Sequence, residues 1–382
     1  MSMADTRIAI IGGGLSGLYA AYALERQGIR GCVLWEARER LGGRLLDASR
    51  TATAGAAQPA PRSGLDLGAT WFWPALQPQL DALIRHLDLD RFLQPGEGDM
   101  VFEHPRHAAP VRTGGFLQQP PSFRLVGGMD ALVQALRERL RSTRIETASR
   151  VRGVHASAED LAVEMDTPAG PRRVGGFQHV LLALPPRLAE AHLAFVPALP
   201  PDLARSWRAT PTWMAAQAKY VAVYDTPFWR SAGLSGFAQS ALGPLGEIHD
   251  ASNADGPAAL FGFLALPPRA RLGLPDDQLR ALCRAQLARL FGPSAARPDA
   301  EFLKDWARDP HTATAADVDT PALHAAPPAA TAADGAWRGR LMGIASEWSE
   351  QFPGYVAGAV EAAHAAVSAL AQAAGADLDS TA

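Results

Sequence analysis

Apolar and polar positions follow two rhythms along this chain. Near the start, the apolar run Ile8–Ile11 stops at a string of glycines; an amphipathic stretch then continues to Gln27, Gly28 halts it, and GCVLWE resumes an extended run. This predicts strand, glycine turn, helix and strand over Arg7 to Arg44. Further on, the pattern predicts a helix over Leu80–Leu87, a strand-like patch at Met100–Glu103 and a helix over Gly128–Arg141. VLLALPP at Val180–Pro186 is apolar throughout and ends in prolines, as a buried parallel strand does on leaving its sheet. Lys219–Val223 is β-rich, and Asp276–Phe291 is an amphipathic helix. Leu341–Ala345 reads as a strand and Val356–Ala373 as a long Ala-rich helix. Ser49–Ser63 has no periodicity and is rich in Ala, Thr and Pro, so it is expected as a loop, and Asp309–Gly335, dominated by the same residues, is expected to be mostly loop. No internal repeat is present.

At 382 residues the chain is long for one core, and two interleaved domains are expected. Hydrophobic residues at 48% and charged residues at 20% give a globular balance, and a net charge of −3 leaves no nucleic-acid footprint. The two cysteines, Cys32 in a predicted strand and Cys283 in a predicted helix, form neither a CxxC pair nor a disulfide framework, so a reducing, cytoplasmic setting is expected. No apolar run reaches the roughly 18 residues of a membrane span, and the first one meets glycines instead of a cleavage site, so no export signal is expected. Of 36 basic residues, only Lys219 and Lys304 are lysine.

Gly12-x-Gly14-x-x-Gly17 lies between strand and helix, with Ser16 in the first helical turn. Such a turn lets helix N-terminal amides approach a pyrophosphate with no Cβ in the way. Glu36 follows at the end of the second strand, where a carboxylate accepts from ribose hydroxyls. Arg38, Arg40, Gly42, Gly43 and Arg44 then form a second glycine turn flanked by fork-shaped cations, suited to closing over the same diphosphate. Other chemistries lack their motifs. Neither GLSG is a GxSxG elbow, Pro105 separates His104 from His107, and there is no HExxH or cysteine cluster, so neither a serine hydrolase nor a metal site is expected.

EARERLGGR closely resembles the signature after the first βαβ unit of the flavin-containing amine oxidase family, typified by monoamine oxidases. The resemblance runs nearly end to end. DLGATWFWP at Asp66–Pro74 is similar to a segment that places Gly68, Ala69, Thr70 and Trp71 beside the isoalloxazine and ribityl chain. GGMDALVQAL with Arg150–Val151 resembles the segment whose valine meets adenine through its backbone. ALPP at Ala183–Pro186 and YDTPFWRSAGLSG at Tyr224–Gly236 are also family-like. SEWSEQFPGYVAGAVEAA is similar to the C-terminal flavin segment, with Glu347, Gly354, Tyr355 and Val356 at family positions. The helix starting at Val356 would aim its amides and partial positive charge at flavin N1 and O2. The fold this implies is mixed α/β, a Rossmann-type FAD domain (5–85, 122–208 and 309–376) interleaved with a smaller substrate domain on an antiparallel or mixed sheet with helices (86–121 and 209–308).

Two catalytic residues follow from the resemblance. Lys219, eight residues before Pro227, stands at the spacing of a lysine that holds a water against flavin N5. It is an ammonium in a chain that otherwise prefers arginine. Lys304, near Trp306, is read as a structural lysine in an exposed turn. Tyr355 is one wall of an aromatic cage over the flavin. Counting from Trp306, the second wall falls on Ala316, and Ala315 stands where monoamine oxidases attach FAD through cysteine. FAD is therefore expected to be noncovalent, with Trp348, Phe352 or His311 as candidates for the missing wall.

The expected reaction removes a hydride equivalent from the α-carbon of an amine, with O2 reduced to hydrogen peroxide, in a pocket drawing on Trp71, Phe72, Trp73 and Tyr355. Only about sixteen residues separate Val111 from Gly128, where larger family members carry a multi-helix segment, so an open site tolerant of bulky amines is expected. The alternatives are a desaturase or protoporphyrinogen-oxidase-like enzyme, which Lys219 disfavours, and a flavin-binding protein without turnover. Expected partners are a small-molecule amine and O2, with no nucleic acid, no membrane span, and a homodimer as the assembly to test. No acidic or basic side chain is placed to read the substrate.

Overall fold

The structure, a computed structural model, describes residues 6–51, 64–106, 109–115, 118–254, 256–319 and 325–379, with side chains to 373. His107 and residues 52–63 of the Ser49–Ser63 loop lie outside the described residues. By contacts the chain divides into two units, Met1–Arg44 with Val133–Ala215 and Pro310–Ala382, and Leu45–Leu132 with Ala216–Asp309.

The first unit is built on a five-stranded parallel sheet in the order Leu341–Gly343, His179–Leu182, Arg7–Ile11, Gly31–Trp35, Arg144–Glu146. The apolar runs seen in the sequence are its central strands: Ile8, Ala9, Ile10, Val180, Leu181 and Leu182 have no exposed surface. Leu15–Arg26 is the helix after the first strand, and its Tyr19 hydroxyl meets His364 of the helix Val356–Asp379 at 3.2 Å. A four-stranded sheet follows the order Gly170–Phe177, Leu161–Thr167, Arg150–Ala156, Ala194–Val196. Trp35, Phe177, Trp207, Trp337 and Trp348 share the core of this unit.

The segment Asp309–Gly335 is not all loop. A short helix, Ala315–Asp319, is held by buried Asp317, whose carboxylate takes the Arg187 guanidinium (2.7 Å) and the backbone N–H groups of Thr212 and Thr314 (both 2.9 Å).

The second unit carries a seven-stranded sheet in the order Ala300–Asp305, Ala218–Tyr224, Ala258–Leu264, Leu245–Asp250, Leu234–Ser240, Asp99–Glu103, Val111–Gly114. Its strands present alternate residues to two cores. Tyr220, Ala222, Leu260 and Leu264 pack with Cys283 and Leu287 of the helix Asp276–Phe291. On the other face, Val221, Ala259 and Phe261 pack with Leu46, Leu65, Leu67 and Trp306.

That second core explains where the division departs from the expected domains. Residues 45–85 and 122–132, expected with the nucleotide-binding strands they adjoin in sequence, belong by contacts to the unit of the large sheet. Their leucines complete the core over its inner face. Lys304 also differs: it lies within the strand Ala300–Asp305, paired with Lys219 in register, and bonds Asp309 at 2.9 Å. Between the strand Val111–Gly114 and the helix Asp130–Arg139, the described residues hold only the short strand Phe123–Leu125 and no helix. Cys32 and Cys283 are buried, and burial pushes both thiols up to about 12. Among the described residues no helix is long and apolar enough to cross a membrane, and no group of acids, histidines and cysteines is arranged to hold a metal.

Candidate functional site

In the first unit the two glycine turns dock on each other. Gly14 and Gly42 form a parallel bridge, and the Gly42 N–H donates to the Gly13 carbonyl at 2.8 Å. Gly12 has φ +110°, and a Cβ there would lie 2.7 Å from the Ala183 carbonyl oxygen. A Cβ on Gly17 would overlap the Gly12 carbonyl. At Gly14, by contrast, the nearest atom to an added Cβ is 3.9 Å away, so this glycine is not required by packing. Gly14 caps the helix Leu15–Arg26 without a side-chain hydrogen bond, leaving amides at the helix tip for an anion. Open space at Gly14 beside such a tip fits a dinucleotide diphosphate. Ser16 is buried in this first turn.

Glu36, 4% exposed, accepts from the backbone N–H of Gly13 (2.7 Å) and of Arg38 (2.9 Å), which ties the ribose-type carboxylate to both turns. The Arg38 guanidinium donates to Thr312 Oγ1 at 3.0 Å, and Arg40 donates to the carbonyls of Leu41 and Gly43 within its own turn. The Gly43 backbone packs on Gly14. Val151 is buried in the strand Arg150–Ala156 of the same unit.

Arg44 joins this turn to the C-terminal segment. It grips Glu347 as a two-pronged pair (2.6 and 3.0 Å), and it also donates to Ser346 Oγ and the Trp213 carbonyl. Gly354, at φ +84°, lies so close to Trp213 that a Cβ would collide with the indole, and the helix from Val356 begins two residues later. Tyr355 is 37% exposed, and its ring neighbour is Trp213, 6.4 Å between centroids with planes 32° apart. Of the aromatics expected to face Tyr355, Trp348 is ruled out: it is 5% exposed and packs edge-on against Trp207 at 5.3 Å. Trp213 sits in a stretch without periodicity, and nothing in the sequence pattern marks it. Ala315 and Ala316 are exposed in their short helix.

In the second unit Lys219 is buried, 2% exposed, and all three of its N–H groups find oxygen: the carbonyls of Asp66 (3.0 Å) and Gly68 (2.8 Å) and the Thr70 hydroxyl (2.6 Å). The Phe261 ring lies 4.2 Å from its nitrogen. Burial pushes this ammonium down to about 7, against the pull of Asp66 and with the push of Arg124. Asp66 moves the other way, up to about 6, again chiefly by burial. One Asp66 oxygen accepts from the Met129 N–H at 2.8 Å, while the other, like Arg124 Nε, is buried without a hydrogen-bond partner. The sequence gives no role to Asp66, which it marks only as the start of the family-like segment, and does not mark Arg124 at all, because a single acid and a single arginine in apolar surroundings carry no spacing signal.

Trp71 stands against His249, Phe261 and Phe263, and its indole N–H donates to Gln94 at 2.7 Å. Phe72 has no exposed surface and packs on Phe123, so it is core and not pocket, whereas Trp73 opens the turn into the helix Pro78–His86.

The profile of the flavin-containing amine oxidoreductase family matches residues 106–371. The chain belongs to this family. Residues 10–87 also match an NAD(P)-binding Rossmann-like domain. A Mycobacterium tuberculosis protein named as a flavin-containing monoamine oxidase is 30% identical over 259 residues, which cover 65% of this chain and 52% of that protein. The chain spans about half the length of the curated relatives it matches. Among solved structures, a putrescine oxidase bound to putrescine superposes with TM-score 0.73 at 23% identity, and the cyclohexylamine oxidase of Brevibacterium oxydans with TM-score 0.76 at 18%; each covers 96% of this chain and 99% of the other. These two show that the family fold is shared.

Proposed function

We propose that this chain is an FAD-dependent amine oxidase that binds its flavin noncovalently. Lys219 carries the reading. Its nitrogen joins two segments 149 to 153 residues apart in sequence, each of which independently resembles a flavin segment of the family.

In this reading Gly12, Gly14, Ser16, Gly17, Glu36, Arg38, Gly43 and Val151 hold the adenosine diphosphate half. Gly68, Ala69, Thr70, Trp71, Arg44, Glu347, Gly354, Tyr355 and Val356 serve the flavin half. Bound FAD supplies a two-electron acceptor that O2 regenerates with release of hydrogen peroxide. The neutral amine gives up two electrons and two protons, a hydride equivalent from its α-carbon and a proton from its nitrogen, and water hydrolyses the resulting imine to a carbonyl compound and the freed ammonia or amine.

The protein supplies position and electrostatics. An alkylammonium with a pKa near 10 costs about 4 kcal/mol to deprotonate at pH 7. Buried Arg124 disfavours a second cation beside it, as does Lys219 whenever it carries its proton, and both so favour the neutral amine. Lys219 donates to Thr70 Oγ1, which turns the hydroxyl hydrogen of Thr70 outward as a donor; its one other contact, the Gly68 carbonyl, is long at 3.5 Å. Lys219 and Thr70 together present that donor to the water at the reacting centre. Tyr355 orients the amine by its ring face.

The test is anaerobic mixing of the holoenzyme with a panel of amines. Loss of the yellow flavin absorbance without external reductant is the expected result, and its absence with every amine sinks the oxidase reading. Acid precipitation should leave FAD in the supernatant; flavin retained in the pellet contradicts noncovalent binding.

A further inference from the structure

We propose that Asp66 is a positioning residue whose buried carboxylate keeps the proton on Lys219 and thereby fixes which way the Thr70 hydroxyl points. That this hydroxyl matters to the chemistry rests on the amine-oxidase reading above; the coupling of the three residues does not.

Donors and acceptors around Lys219 carry the argument. Its nitrogen meets the carbonyls of Asp66 and Gly68 and the Thr70 hydroxyl at 3.0, 2.8 and 2.6 Å. An ammonium has three N–H donors and no lone pair, so it fills all three oxygens and leaves the Thr70 hydrogen to point away. A neutral amine has two N–H donors and one lone pair. Carbonyls only accept, so both donors stay on Asp66 and Gly68, and the lone pair needs a donor. Of the three partners only Thr70 has one. Its hydrogen turns inward, and the outward donor is lost. One proton on Lys219 thus sets the direction of one hydroxyl.

The surrounding charge decides whether that proton stays. Asp66, Lys219 and Arg124 are 5%, 2% and 1% exposed. Lys219 bonds the Asp66 carbonyl, which brings the carboxylate of the same residue within Coulombic reach. One carboxylate oxygen accepts from the Met129 N–H at 2.8 Å, and the other has no hydrogen-bond partner. Arg124 donates to the Ser252 carbonyl at 2.9 Å, and its Nε is buried without a partner. Two buried cations therefore share one carboxylate, and without it they would face each other in a dry interior. Burial lowers Lys219 most, to about 7, while Asp66 pulls it up and Arg124 pushes it further down. The other charged neighbours are engaged elsewhere. Asp47, bridged to Asp66, accepts from the backbone N–H groups of Ser49, Gly64 and Leu65. Asp250 takes Trp229 and Arg230, and Lys304, in register with Lys219, takes Asp309. Glu247 meets His249, whose imidazole burial keeps neutral. Among the described residues this leaves Asp66 as the carboxylate that balances Lys219.

The experiment exploits the scarcity of lysine. The chain has two, so holoenzyme labelled with 13C at lysine Cε gives two signals, and Lys219→Met identifies one by its loss. In the wild type the Lys219 signal should titrate near pH 7. Asp66→Asn keeps an acceptor for the Met129 N–H and should lower that midpoint by about one pH unit or more, whereas Arg124→Gln should raise it. Loosened packing that admits water would raise the midpoint in both variants, so an unmoved or raised midpoint in Asp66→Asn overturns the proposal. A reciprocal measurement does not need that variant to fold. The infrared band of the protonated Asp66 carboxyl, which the wild type loses as pH climbs through about 6, should persist to higher pH in Lys219→Met, and an unshifted band overturns the coupling. At saturating amine, the rate of flavin reduction should fall above the lysine midpoint and follow it from wild type to variant. A rate profile that stays put while the midpoint moves overturns the role given to Thr70. A lysine midpoint that moves in a protein whose flavin no amine bleaches supports the coupling and overturns the oxidase reading.

Discussion

Lys219 uses all three N–H groups on the segment from Asp66 to Thr70, so its removal has both a chemical and a positional consequence. In stopped-flow traces Lys219→Met should slow flavin reduction or reoxidation by roughly 10- to 100-fold while FAD stays bound. Wild-type peroxide formation in that variant would remove the lysine from the mechanism. Its ionisation also leaves a mark on stability. The folded-state pKa, about 7, lies below the ordinary 10.5, so between those values the unfolded chain binds the extra proton and stability rises with pH. Asp66, raised from 3.8 to about 6, acts oppositely, and stability falls as pH climbs through that lower window. Scanning calorimetry from pH 7 to 10 should show the wild-type Tm gaining on that of Lys219→Met; parallel curves would mean that the lysine is not desolvated. Arg44→Lys tests a different contact. A single ammonium cannot reproduce the two-pronged grip on buried Glu347, and the expected loss is about 1–2 kcal/mol with weaker FAD retention by gel filtration.

At the scale of elements, packing and ligand binding assign different reasons to neighbouring glycines. Gly17→Ala drives a methyl into the Gly12 carbonyl and should cost about 3 kcal/mol, loosening helix from strand. Gly14→Ala makes only an ordinary contact, with Gly43 Cα at 3.9 Å, and should cost less than about 1 kcal/mol, yet abolish FAD binding, because its methyl occupies the space read as the diphosphate site. Equal loss of stability in both variants would contradict this assignment. The glycine turn, its helix and the helix Asp276–Phe291 are legible in sequence because periodicity, Pro275 and Gly292 mark their ends locally. Lys304 is misread as a turn because the strand it belongs to has no clean alternation; only pairing with the Lys219 strand makes it one.

At the scale of the whole chain, the two units differ in how visible they are. The nucleotide-binding unit follows from one local motif and apolar runs. The partition of Leu45–Leu132 does not, because its leucines acquire a partner only when the large sheet forms. Under linkage, FAD that binds the folded chain alone stabilises it in proportion to its affinity, so stripping the flavin should lower Tm and titrating it back should restore it. A final consequence concerns the two cysteines. Both thiols are buried and stay protonated up to about pH 12, whereas peroxide attacks thiolates. On the oxidase reading proposed above, peroxide can accumulate without consuming these thiols: after prolonged turnover, both should still titrate on unfolding.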